Sequence, residues 1–300
     1  MRRKYFVAFS LAVVFLFLIA ASGCSTMRSL VSPVIPKGPE LKKKVMVFPL
    51  VNQAAIEGER ARKLDGDFRK SLESSPHLLV YSPPEGVFST MSMTSPLFGV
   101  VTSSRLVEVA EGMGMNALVI GVMNPIEVTT RKSGIWPFRR NKKFYNVSMG
   151  VNVVDIITKT FSMTQIESEE FSIPVEDAEG KDEKGIINKG LEEVLPEILK
   201  RVTSVAEKGL GNEPWMGKIL AVEDKTVMID AGKLVGVKPG QTFEVLSVGE
   251  AIPSASGRPI QVLGERIGEI RVDSVMEKHS LAVSVKGGKF SAGQVVRFRR

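Results

Sequence analysis

The chain has 300 residues, a formal net charge of +7, one cysteine and two histidines. That length accommodates about two domains, and 43% hydrophobic with 24% charged residues is a globular rather than a disordered composition. A single cysteine excludes an intramolecular disulfide and a multi-cysteine zinc site. Only His77 and His279 remain for imidazole chemistry, so composition tilts away from an enzyme.

Arg2, Arg3 and Lys4 open the chain, and Tyr5 to Ala21 are uncharged and nearly all apolar. Small residues Ser22 and Gly23 follow, then Cys24. The order basic, apolar, small is that of a secretory signal peptide over residues 1–23. Ala21-Ser22-Gly23-Cys24 resembles the lipobox of bacterial lipoproteins, with Ala21 where leucine is usual. The resemblance implies cleavage before Cys24, a thioether-linked diacylglycerol on it, and acylation (palmitate among the chains) of the new amino terminus. Ser25 follows Cys24, and no aspartate stands there. By resemblance to the sorting rule this implies the outer membrane, with the protein on its periplasmic face. The alternative is an uncleaved anchor, its apolar run of about 17 residues lying at the lower edge of a spanning helix. Cleavage would remove three positive charges, which weakens any nucleic-acid reading of the net charge.

Residues 24–44 form the acylated cysteine and a tether. Pro33, Pro36 and Pro39 punctuate it without apolar periodicity, as in an extended linker.

Residues 45–210 read as an α/β domain. Val45–Leu50 is a short apolar run and predicts a buried strand. In 54–74, Ile56, Ala61, Leu64, Phe68 and Leu72 recur at helical steps and predict an amphipathic helix ended by Pro76. Leu78–Tyr81 predicts a strand stopped by Pro83 and Pro84, and 85–101 reads as an irregular insertion. Ser103 or Ser104 is placed to cap a helix running to Gly112, and Ala117–Val122 predicts a third strand. A basic, aromatic loop follows. Phe144–Ile157 and Thr160–Ile173 then predict a hairpin turning at Thr158-Lys159. Polar residues 174–184 lead into a helix over 186–208 that Pro196 should kink or divide, with Gly209 and Gly211 ending the domain.

Residues 214–300 read as a small all-β, barrel-like domain. Strands are predicted at 216–222, 226–231, 242–248, 267–275, 280–285 and 294–299, with a long loop over 249–265. The fold class is thus α+β: an α/β sandwich-like domain with a mixed sheet and helices, then a small β-barrel-like domain.

Gly217–Val222, Val227–Asp230, the run GKLVGVKPG over 232–240, Phe243–Val245, Gly268–Val272, Ser280–Ala282 and Ser291–Val296 resemble the C-terminal domain of the flagellar T-ring protein family. The first domain is similar to the fold shared by that protein's middle domain, the TolB amino-terminal domain and the curli-secretion lipoproteins. Its carriers are Val45–Leu50, the 54–74 helix, Leu78–Tyr81, Ala117–Val122 and Val153-Val154-Asp155. These families are not enzymes, so the resemblance brings no catalytic residues.

No motif of the sequence carries recognisable catalytic or phosphate-binding chemistry. Between Gly211 and Gly217-Lys218 one residue too many intervenes for a phosphate loop, and Ile219 replaces its Ser or Thr. Gly112-Met113-Gly114 lacks the third glycine of a dinucleotide loop. Asp65 and Asp67 read as solvated helix residues, and His77 and His279 as structural or surface groups. No catalytic, cofactor-binding or metal residues are therefore expected.

One segment stands out, 131–143 (RKSGIWPFRRNKK). Six cations, Arg131, Lys132, Arg139, Arg140, Lys142 and Lys143, flank Trp136 and Phe138 at a proline-marked tip. Tryptophan favours a membrane interface and basic residues favour anionic headgroups or an acidic partner. The alternatives are a mobile loop with Trp136 packed back on its own domain, or part of a pore. The expected function is that of a non-enzymatic outer-membrane lipoprotein that scaffolds or anchors an envelope assembly, with a flagellar basal body in view. Its partners would be membrane lipid through Cys24 and envelope proteins in a homo- or hetero-oligomer, with no nucleic acid. The alternatives are a component of a curli-type secretion channel and a regulator of a peptidoglycan enzyme.

Overall fold

The computed structural model describes residues 41–85, 104–253 and 259–298. Cys24, the signal segment and the tether up to residue 40 lie outside the described residues, as does nearly all of the insertion read at 85–101.

The α/β part is a mixed sheet of six strands. These are β1 (Lys43–Asn52), β2 (Leu78–Tyr81), β3 (Ala117–Met123), β4 (Glu127–Ser133), β5 (Arg140–Asp155) and β6 (Thr160–Pro174). β1 lies parallel between β2 and β3, and β3 pairs antiparallel with β5. β6 takes one edge of β5 over nearly its whole length. On the other edge β3 pairs with Met149–Asp155 and β4 with Arg140–Asn146, so these two strands lie end to end.

Strands covered on both faces read as continuous apolar runs, and β3 is buried at every residue. Val45 and Val47 of β1 and Val147, Met149, Val151 and Val153 of β5 point to one face. Against it pack the helices α1 (Gly58–Glu73) and α4 (Glu183–Asn212). Met46, Phe48, Leu118 and Ile120 point the other way, toward Leu106, Val107 and Ala110 of α2 (Ser104–Gly112). A short helix, α3 (Val175–Ala178), joins β6 to α4.

Several boundaries depart from the expectation for local reasons. α1 begins at Gly58, not at 54. Ala55 and Gly58 hold positive φ, and the Asn52 side chain clasps Ile56 through both its N–H and its carbonyl, so a turn precedes the helix. Asp65 is not simply solvated: it accepts the Leu50 N–H at 2.6 Å, beside the β1 irregularity that follows Pro49. Pro196 does not divide α4. Leu195 and Ile198 on either side stay seated in the same core, so packing outweighs the lost backbone bond. Asp182 caps the helix by accepting from the Lys184 and Gly185 N–H groups. Gly209 and Gly211 lie inside it. It stops at Glu213, which Pro214 holds extended.

The β part is a closed six-stranded barrel. Its strands are β7 (Met216–Glu223), β8 (Thr226–Ile229), β9 (Thr242–Pro253), β10 (Pro259–Val275), β11 (Ser280–Gly287) and β12 (Val295–Phe298). The ring order is β10-β11-β8-β7-β12-β9, antiparallel at every pairing. Ile219, Val227, Ile229, Phe243, Val245, Ile270 and Ala282 fill it, with Trp215 edge-on to Phe243. At Gly232 a Cβ would lie 2.5 Å from the Met276 carbonyl, so the chains approach only because no side chain is there.

The expected loop over 249–265 is largely strand. β9 and β10 extend as a paired arm to Pro253 and Pro259. The glycines and prolines that suggested a loop sit instead at close approaches, such as Gly264 against Ser247, and at the far end of the ladder.

Polar contacts join the sheet to the barrel. Asn116 accepts the Lys44 N–H and donates to the Met216 carbonyl, and the Trp215 indole N–H donates to the Lys42 carbonyl. Lys44 Nζ reaches the Asp230 carbonyl at 2.9 Å, and Asp230 accepts the Lys218 N–H. Burial pushes the Asp230 carboxyl up, against the pull of Lys44. Glu111 receives Lys218 at 2.7 Å and Lys159 at 2.9 Å. Burial raises the Glu111 carboxyl, but the two lysine hydrogen bonds outweigh it and hold the carboxyl below its usual range.

Candidate functional site

Residues 131–143 form a hairpin, not a loop. β4 pairs with the first half of β5 from Glu127↔Asn146 to Ser133↔Arg140. β6 backs the same stretch from Lys142↔Pro174 inward. The outer part of the sheet is therefore a three-stranded arm with a six-residue tip over 134–139. β4 is exposed along nearly its whole length, so it presents no apolar alternation to read.

Tip geometry is set by the backbone. Gly134 holds φ at +117°, and Phe138 N–H donates to the Ile135 carbonyl at 2.8 Å to close the turn. Ile135 is 86% exposed, Trp136 79% and Phe138 82%. Trp136 therefore does not pack back on the sheet. Ile135 belongs to the same cluster, and the aromatic pattern that marks Trp136 and Phe138 in the sequence does not mark it.

The six cations divide by position. Arg131 pairs with Glu170 at 2.6 Å, and its guanidinium lies 3.8 Å over the Phe144 ring. Lys143 lies 3.9 Å from Glu183. Lys132, Arg139, Arg140 and Lys142 have no carboxylate partner among the described residues. At the base of the arm Tyr145 stacks on Phe171 at 4.8 Å, and Phe171 fills the space a side chain at Gly190 of α4 would take. Burial, then the nearby Glu183 charge, pushes the Tyr145 phenol up. On the α4-facing side of β6, Arg201 of α4 bridges Glu167 and Glu169.

Elsewhere, a groove of about 1340 Å³ runs between α1 and α4, floored by Ile56, Leu64, Leu191 and Leu195 and rimmed by both charge signs. Gly217-Lys218 lies inside strand β7, which is not the strand-to-helix loop of a phosphate site. Among the described residues no group of three or more His, Cys, Asp or Glu is placed to hold a metal, and no helix is long and apolar enough to cross a membrane.

The family model of flagellar assembly protein T, C-terminal domain, matches residues 224–295. The barrel is similar to that domain. The matched segment runs from the β7–β8 turn to the first residue of β12. No curated protein matches the chain. Among solved structures, a hypothetical protein of Chlamydia trachomatis is 17% identical, with 54% of this chain and 96% of that one covered and a TM-score of 0.32. A PelC dodecamer of Paraburkholderia phytofirmans is 12% identical, covering 59% and 94%, with a TM-score of 0.32. A lipoprotein of Neisseria meningitidis is 12% identical, covering 52% and 97%, with a TM-score of 0.28. Scores this low mark partial overlap and carry neither fold nor function across.

Proposed function

We propose that the protein is a non-enzymatic lipoprotein of the bacterial envelope that anchors or scaffolds an assembly at the outer membrane, with the flagellar basal body as that assembly. The carrying observation is the match of residues 224–295 to the C-terminal domain of the flagellar assembly protein T family. The lipobox-like Ala21–Cys24 supports anchoring, and several acyl chains hold a protein firmly, at about 0.8 kcal/mol per buried CH₂. The polar clasp between sheet and barrel supports a part that bears on partners as one piece. A curli-type exporter would need spanning strands of about 9–11 residues. β4 has seven and carries exposed cations, which argues against that role for the arm.

The test is isolation of basal bodies from cells carrying an epitope-tagged chain. The reading expects the protein in the basal-body fraction, with release when residues 214–300 are deleted. A protein found in the outer membrane but absent from purified basal bodies would remove the flagellar assignment and leave the anchor.

A further inference from the structure

The hairpin tip combines three properties that no packing requirement of the fold explains. Large apolar side chains stand out in solvent, cations without a carboxylate partner among the described residues surround them, and the segment itself carries no acid. The sequence has no aspartate or glutamate between Glu127 and Asp155, while six lysines and arginines fall in that span. Among the described residues, the acids that approach come from β6 and α4, and they meet Arg131 and Lys143 at the base. Of the four remaining cations, Lys132 lies on β4, Arg140 and Lys142 on β5, and Arg139 in the tip with Ile135, Trp136 and Phe138.

We infer that this tip inserts into the anionic phospholipid surface of the membrane that holds the Cys24 acyl chains, with Ile135, Trp136 and Phe138 entering the acyl boundary and Lys132, Arg139, Arg140 and Lys142 meeting lipid phosphates. The inference rests on the lipid-anchored reading above.

Area decides between lipid and protein. Three side chains at these exposures offer about 500 Å² of apolar surface, since an aromatic buries roughly 150–250 Å². A stable protein interface needs about 800 Å² per partner with a complementary surface around it. A small wedge is enough for a chain already tethered to the bilayer, because the tether fixes the effective concentration of the second contact. Tryptophan at headgroup depth and basic flanks at an anionic surface are the known preferences of these side chains. Placement on a ladder backed by β6 means that insertion does not have to order the tip first.

Tryptophan quenching tests this directly. The chain has two tryptophans, and Trp215 is only 4% exposed inside the barrel, so lipid-borne quenchers report Trp136. The full chain is reconstituted into vesicles of brominated phosphatidylcholine alone, or of phosphatidylcholine with brominated phosphatidylglycerol. The inference expects roughly a third to a half of the emission to be lost in the anionic vesicles and none in the Trp136→Ala variant. Replacing the four free cations by serine should weaken tip engagement by about fivefold per charge. Unchanged emission, equal quenching from zwitterionic lipid, or a crosslink from position 136 to a protein without quenching would overturn it. Vesicle flotation reads the anchor separately. A chain that floats unquenched contradicts the tip alone. A chain that does not float contradicts the anchor, and quenching at rising vesicle concentration then still reads the tip.

Discussion

The two halves of β5 are one strand in two environments. From Val147 to Val153 its core-facing side chains are at most 1% exposed, and from Met149 on β3 and β6 cover both edges. From Arg140 to Asn146 it belongs to an arm whose tip carries three apolar residues about four-fifths exposed. Hydrophobic residues thus serve opposite purposes within one strand and its turn. In the inner half, and at Phe144 and Tyr145 of the outer half, they contribute to folding, so the tip is what serves contact. Stability and function should separate cleanly along this strand.

The separation fails first if the inner half tolerates charge. Val151→Asp places an unpaired carboxylate at a position with no exposure, and we expect loss of about 4 kcal/mol or more, seen as loss of cooperative unfolding by circular dichroism. At the boundary, Gly190→Ala drives a methyl into Phe171, which stacks on Tyr145. The expected cost is about 1–3 kcal/mol in urea unfolding, relieved by Phe171→Leu.

A smaller effect sits beyond the inner end, where Lys159 in the β5–β6 turn meets Glu111. The folded state holds the Glu111 carboxyl below its usual range, so its contribution is present above the unfolded value of about 4.3 and fades as pH falls through the folded value. Wild type should exceed Glu111→Gln by about 0.5–1 kcal/mol at pH 7, and the gap should close on acidification below about pH 4. A gap that widens with acid would reverse the assignment. The smallest effect belongs to the outer half. Trp136→Ser with Phe138→Ser should change unfolding by no more than about 0.5 kcal/mol, because neither side chain is packed. A loss of 2 kcal/mol or more, measured the same way, would mean that the tip is structural.

Legibility in the sequence followed burial. β3 and β2 were readable because a run such as Ala117–Val122 has no other use, and α4 because Leu191, Leu195, Ile198 and Val202 keep helical steps. β4 was not readable, since Val-Thr-Thr-Arg-Lys faces solvent on both sides and owes its strand form to pairing with β5. The β9–β10 arm was hidden for a related reason: its glycines and prolines mark close approaches and a ladder end, where a loop was expected. The tip was legible as composition and not as shape. Trp136, Phe138 and the cations announced a contact, but which cations are free depends on Glu170 and Glu183, distant in sequence.

Anchoring at Cys24 is the premise on which both the envelope role and the tip contact stand. The most direct test is the mass of the amino-terminal peptide of the protein recovered from membranes. The account predicts that the peptide begins at Cys24 and carries a diacylglycerol thioether and an amide-linked acyl chain. A peptide that begins upstream of Cys24, or an unmodified Cys24, would contradict it.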